Sequence, residues 1–373
     1  MIEIVVTGDL CPINRVEELV LNQNYDLIFN NTLQILSKAD LAITNLECPL
    51  VNDANRIPKI GPALKANTRT IEALSYANFK LVTLANNHIM DFGVEGLKST
   101  FKTCIDNGVS YVGAGNTLEE ARKPFSITVK KHKLAIINIA ENEFSNTNGN
   151  YPGANPFSLI SNFNDIVEAK RNSDFIIVIF HGGNEGYNLP SPRLKETFRF
   201  FADAGADAII GHHTHCFSGY EIYKNIPIFY GLGNFIFDYP VINNKSWHQG
   251  LIIKICFSKL KTSFQLFPIN QFDNAIGVQL AEGDELERIL NEIKQLNLII
   301  QEDSILKESF NQFTSQKSKE YLRYFQPYNN RILGFLARKG ILPYQLSDYR
   351  RRLYLNLIRC ESHRDALIEI LAK

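Results

Sequence analysis

The stretch DAIIGHHTH, residues 207–215, joins a short apolar run to three of the chain's eight histidines. The run does not alternate polar with apolar residues, so it reads as a strand buried on both faces rather than one with a solvated side. Seven further runs have the same character: IEIVVT (2–7), DLAIT (40–44), KLVTLA (80–85), KLAIINIA (133–140), FIIVIF (175–180), PIFYGL (227–232) and LIIKICF (251–257). Between them lie stretches with apolar residues at helical spacing, among them TRTIEALSYANF (68–79), GVEGLKSTFKTCIDNG (93–108) and PRLKETFRFFADAG (192–205), the last two closed by glycine. The alternation predicts an α/β fold up to about residue 270. From about 284 to 373 only helical periodicity remains, which predicts a separate helical extension.

The polar residues just past the apolar runs are more telling than the runs. Asp9 comes after the first, Glu47 after the second, Asn87 and His88 after the third, His181 after the run at 175–180, and His212, His213 and His215 after the run at 207–211. In sheets whose strands feed crossover connections, sites form beyond the carboxyl ends of the strands, where loops from distant parts of the chain converge. Such a convergence would gather hard carboxylate and amide oxygens with imidazole nitrogens. That mixture suits Zn, Mn or Fe better than a thiolate zinc site or an all-oxygen calcium cage. A carboxylate between two such cations can bridge them, and a two-metal pair is suited to hydrolytic displacement at phosphorus or a carbonyl carbon.

The 39 Lys and Arg balance 39 Asp and Glu, so the net charge supplies no phosphate-binding field, and nucleic acid is not an expected partner. Arg350, Arg351 and Arg352 form a short basic run that reads as a solvated helix face. Six cysteines lie scattered without CxxC pairs, which suits a reducing compartment. The opening MIEIVVTGDL has no basic leader region, and no apolar run is long enough to span a bilayer. The expectation is a cytoplasmic protein without its own membrane anchor, peripheral at the membrane only through a partner.

In order, TGDL, NLECPL, LANNHIMDFGVEGL, HGGNEGY, GADAIIGHHTH and YGLGNFIFD, with IPKIGPAL and YVGAGNTLEEARKP between them, resemble the CapA family of bacterial capsule and poly-γ-glutamate biosynthesis proteins over about residues 1–255. The resemblance implies a calcineurin-like metallophosphoesterase fold, a four-layer β-sandwich flanked by helices, with two divalent metal ions at its edge. It implies Asp9, Glu47, Asn87, His181, His213 and His215 as metal ligands, with Glu47 bridging. His88 would protonate the leaving group or stabilise charge. From their positions, Asp91 is a candidate to accept the other N–H of His88 or to cap the helix near Gly93, and Glu185 to orient a ligand imidazole or touch substrate. The wider superfamily usually has histidine two residues after the first aspartate. Here Cys11 stands there, either a thiolate donor or a small buried side chain.

Two functions are compatible with these residues. The first is a metal-dependent hydrolase acting on a phosphoester or amide bond of a polymer precursor. The second is a non-catalytic accessory protein of a capsule synthesis or export complex, with a structural or degenerate metal site.

Overall fold

A computed structural model of the chain describes all residues except 240–243, 259–261, 274–275, 324, 326–327, 329–330, 340, 343–345 and 372–373. Along the chain run β1 (Ile2–Cys11), β2 (Leu41–Leu46), β3 (Phe79–Thr83), β4 (Ser110–Val112), β5 (Ala114–Gly115), β6 (Phe125–Val129), β7 (His132–Ala140) and β8 (Gly153–Ala154). They are followed by β9 (Phe175–His181), β10 (Ala208–His212), β11 (Tyr220–Tyr223), β12 (Ile226–Phe229), β13 (Asn234–Phe237), β14 (Gln249–Phe257), β15 (Ser263–Gln271) and β16 (Val278–Leu280). One sheet has the order β16-β15-β14-β1-β2-β3-β4 with β13 also on β1, and a second has the order β11-β12-β10-β9-β7-β6. The unbroken burial of β2 and β9 is what their continuous apolar sequence predicts.

The sheets meet through rings such as Phe175 with Phe257 at 4.9 Å and Phe229 with Phe264 at 4.9 Å. Helices Thr70–Tyr76 and Gly93–Asp106 connect the parallel strands of the first sheet, and Leu159–Asn172 and Pro192–Ala204 those of the second. The last of these shows how local sequence sets an element. Ser191 Oγ accepts from the Leu194 amide, Pro192 fills the first turn, and Gly205 ends the helix at φ 119°. The result is the α/β sandwich flanked by helices that the resemblance implies.

Packing divides the chain later than the change of sequence character near 284, into Met1–Phe310 and Asn311–Lys373. Helix Gly283–Gln301 buries Ile289, Ile293, Leu296 and Ile300, which share one helical face. Asn297 Oδ1 accepts the Tyr220 amide at 2.7 Å, and Lys195 donates to the Ile300 carbonyl and to Asp303. Helical periodicity cannot reveal this, because an amphipathic helix reads the same whether its apolar face meets a sheet or another helix. The second unit holds helices Arg331–Arg338, Asp348–Arg359 and Glu361–Leu371, with Phe325 stacked on Tyr354 at 5.0 Å.

Candidate metal centre

Two rows of polar residues face each other, most at the carboxyl ends of parallel strands and Asn234 at the start of β13. In the first sheet Asn234 of β13, Asp9 of β1, Asn45 of β2 and Thr83 of β3 stand in register. In the second, His181 of β9 is paired with His212 of β10. β1 changes partner to make this possible, pairing with β14 from Ile2 to Val6 and with β13 from Asp9. At the switch a Cβ on Gly8 would lie 2.0 Å from the Gly233 carbonyl oxygen, so only glycine allows the approach that lets the Asp9 amide donate to that oxygen.

Asp9, Glu47, Asn87, His181, His213 and His215 are all buried and all converge here. His181 Nε2 lies 3.1 Å from Asn87 Oδ1, 3.1 Å from His213 Nδ1 and 3.5 Å from Glu47 Oε1. Donors about 2.1 Å from one ion stand roughly 3.0–3.4 Å apart, so these spacings fit a shared cation. His215 Nε2 is 3.7 Å from the same Glu47 oxygen, and Asp9, Glu47 and His215 form a second group able to hold an ion. The His215 tautomer is set by its neighbour: Asn234 Nδ2 donates to the Trp247 carbonyl, so Asn234 Oδ1 accepts from His215 Nδ1 at 2.9 Å, leaving Nε2 for Glu47's side. Glu185 is exposed and makes a third group with His213 and His215.

Charge at the centre is unbalanced without a cation. Burial pushes the Glu47 carboxyl well above the usual range, and the Asp9 and Glu185 charges add to it. No N–H or O–H among the described residues makes a hydrogen bond to either Glu47 oxygen, and both are buried. Asp9 differs: burial alone would raise it, but His212, then His181 and His215, hold it well below the usual range. Burial lowers His181, reinforced by the neighbouring His213 charge, and burial likewise lowers His215 against the pull of Asp9. Neutral imidazoles are the form that binds a metal.

Two further members of the cluster, Asn45 and His212, follow apolar runs in the sequence without a role assigned to them there. Asn45 Nδ2 donates to Asp9 Oδ1 at 2.8 Å and lies 3.2 Å from His181 Nδ1, tying the two rows together. His212, which the sequence pattern does not require, has Nδ1 2.9 Å from Asp9 Oδ1, while the His213 amide donates to Asp9 Oδ2 at 3.0 Å. His213 and His215 adopt φ of 89° and 53°, uncommon for residues with a Cβ and concentrated at functional sites.

Next to the cluster is a cavity of about 300 Å³ lined by Lys59, His88, Glu143, Glu185, Tyr239 and Trp247 among others. His88 Nδ1 is 2.6 Å from Asp91 Oδ2, so the carboxylate accepts that N–H and leaves Nε2 as the free nitrogen. Asp91 caps no helix, as the helix after it has no side-chain cap. Its Oδ1 accepts from Lys59 Nζ at 2.5 Å, and its Oδ2 also from the Leu64 amide at 2.8 Å. The Ile57 amide reaches the Asp91 carbonyl. Lys59 lies in IPKIGPAL, a stretch that matches the family between its motifs but gives its lysine no role from sequence alone.

Cys11 belongs to the apolar core against Cys48, where burial and then that neighbour raise its thiol well above the usual range. It is in none of the metal-capable groups among the described residues. Asp238, the last residue of YGLGNFIFD, is paired with Arg15 at 2.6 Å.

The family profile described as bacterial capsule synthesis protein PGA_cap matches residues 3–239, a span that holds every one of these donors. The chain belongs to that family. Among relatives, the capsule biosynthesis protein CapA of Bacillus anthracis is 32% identical over 242 residues, covering 62% of this chain and 59% of that protein. The PGA biosynthesis protein CapA of Bacillus subtilis (strain 168) is 34% identical over 239 residues, 62% of each. A probable polyglutamine synthesis accessory protein of Mycobacterium tuberculosis (strain ATCC 25618 / H37Rv), Rv0574c, is 29% identical over 217 residues, 54% of this chain and 57% of that one. The matched region thus spans about three fifths of the length of these PGA_cap relatives. A hypothetical protein from Thermus thermophilus, of known crystal structure, overlaps 73% of this chain and 100% of its own at TM-score 0.46 and 14% identity. Among the described residues, no helix is long and apolar enough to cross a membrane.

Proposed function

We propose that this PGA_cap protein is a metal-dependent hydrolase that cleaves a phosphoester or amide bond of a polymer precursor in capsule or poly-γ-glutamate biosynthesis. The observation that carries the reading is Glu47: a carboxylate with both oxygens buried and no donor, shared by one group with Asp9 and His215 and another with His181 and His213, the latter beside Asn87. An uncompensated buried carboxylate is costly, and cations held by these two groups would offset that cost. Asp9, Glu47 and His215 would hold one divalent ion, and Glu47, Asn87, His181 and His213 the other, with Mn, Zn or Fe suited to the donors. Such ions supply Lewis acidity toward an ester or amide oxygen.

The protein's own part is proton handling and positioning. Asp91 holds the ring through its Nδ1–H, so His88 acts from the imidazolium form: Nε2–H gives its proton to the departing group and the ring is left neutral. Glu185, at the edge of the cavity, touches substrate or orients it. Lys59 fixes Asp91 from the other side and pins the 52–63 segment over the cavity. Lys59→Met is therefore expected to lower turnover about tenfold to a hundredfold, in line with lost second-partner support. Limited proteolysis should then cut faster within residues 52–63, and unchanged turnover with unchanged cleavage would remove Lys59 from this role.

A second reading, the accessory role without catalysis, is favoured by Cys11, which adds no donor to the Asp9 side. Elemental analysis of metal per chain separates the two when done on wild type, Asp9→Ala and His181→Ala alongside phosphoester and amide hydrolysis. Close to two ions in wild type, one fewer in each variant, and activity falling with them supports the hydrolase. No bound metal after Mn or Zn loading, together with no turnover, moves the assignment to the accessory role.

A further inference from the structure

The balanced total charge conceals a division between the two units. Residues 311–373 hold 12 Lys and Arg against 5 Asp and Glu, a net of +7, which leaves residues 1–310 at 27 against 34, a net of −7. The excess is concentrated further: from 323 to 359 there are eight Lys and Arg, and Asp348 is the one acid. Charge asymmetry of this kind between parts of a chain points to an anionic partner, which the whole-chain sum hides.

The same segment exposes apolar side chains. Ile332 is 74% exposed, Ile341 65%, Leu355 54% and Ile358 51%. In Arg331–Arg338, Ile332, Phe335 and Leu336 share one face at helical spacing, and in Asp348–Arg359 the exposed Arg350, Arg351 and Arg352 stand next to exposed Leu353. Isolated exposed aliphatic residues are ordinary, but here they occur together with the densest positive charge of the chain. Nucleic acid would match the charge and leave the aliphatics in water. A second copy of the tail would match the aliphatics and repel the charge. An anionic bilayer surface takes both, arginines at the headgroups and aliphatic side chains at the acyl boundary.

We infer that helices Arg331–Arg338 and Asp348–Arg359 present a surface that adsorbs to anionic lipid membranes, holding a net-negative body to a net-negative surface by its basic tail. This inference stands whether or not the metal centre is catalytic.

The test is co-sedimentation of the full chain with phosphatidylcholine vesicles and with vesicles containing about 30% phosphatidylglycerol, an anionic surface of the kind that attracts basic segments. Retention on the anionic vesicles alone, lost in high salt, is expected. Arg350→Gln, Arg351→Gln and Arg352→Gln together should weaken the partition on the order of a hundredfold, at about 1 kcal/mol per charge. Ile332→Ser should weaken it with the charge unchanged, so a folding defect in the triple variant would not leave the matter open. Equal binding to both vesicle types, no binding, or binding that neither variant weakens overturns the inference. So does an arginine-dependent complex with duplex DNA, or a salt-sensitive dimer, in the absence of vesicle binding.

Discussion

Glu47→Gln is expected to lower the metal content of the PGA_cap protein by at least one ion per chain and to reduce hydrolysis by three or more orders of magnitude. Glutamine keeps the shape and loses the charge that two groups of donors share. The same substitution should stabilise the chelated protein, because it removes a buried carboxylate that no donor satisfies. A gain of about 1–2 kcal/mol corresponds to roughly 2–6 °C in Tm for a domain of this size. The two signs together make the test sharp. Metal added to wild type should raise Tm strongly, and metal added to the variant should raise it little. A variant less stable than wild type in chelator, with metal content intact, would mean that Glu47 is a structural acid rather than a shared ligand.

His88→Asn is expected to cost about a hundredfold to ten-thousandfold in turnover while leaving metal content at the wild-type value. His88 is in none of the metal-capable groups among the described residues, yet it lines the cavity beside them with Nδ1 committed to Asp91. Substrates with a good leaving group, such as a nitrophenyl ester, should lose much less than those with a poor one, because less protonation is needed at departure. Equal losses on both would assign His88 to binding. Loss of metal would make it a ligand instead.

Much of the candidate site is legible in the sequence because ligand chemistry comes at strand ends in order. Asp9, Glu47, Asn87, His181, His213 and His215 come together in the structure, and Asp91 Oδ2 lies 2.6 Å from His88 Nδ1. For other residues the sequence gives no readable role. Asn45 looks like one more polar residue after an apolar run, and its bridge from Asp9 to His181 exists only because β2 and β9 lie in different sheets packed face to face. Lys59 sits in a loop with no periodicity, where an isolated lysine reads as solvated. The sum of charges, being zero, hides an anionic partner that the charge on the last 63 residues points toward.

Sequence by itself determined the α/β class, the burial of strands such as β2 and β9, and the identity of the polar side chains at their ends, because these depend on local composition and on the period of two or 3.6 residues. Tertiary structure decided what those side chains are to one another. It made Glu47 common to two groups of metal-capable side chains and withheld any proton donor from it, forced His213 and His215 to positive φ, sent Cys11 into the core, and attached helix Gly283–Gln301 to the first unit. The physical reason is common to all four. Whether a polar group is solvated, paired or aimed at a cation depends on atoms far along the chain, and only the packing of two sheets brings those atoms within about 3 Å.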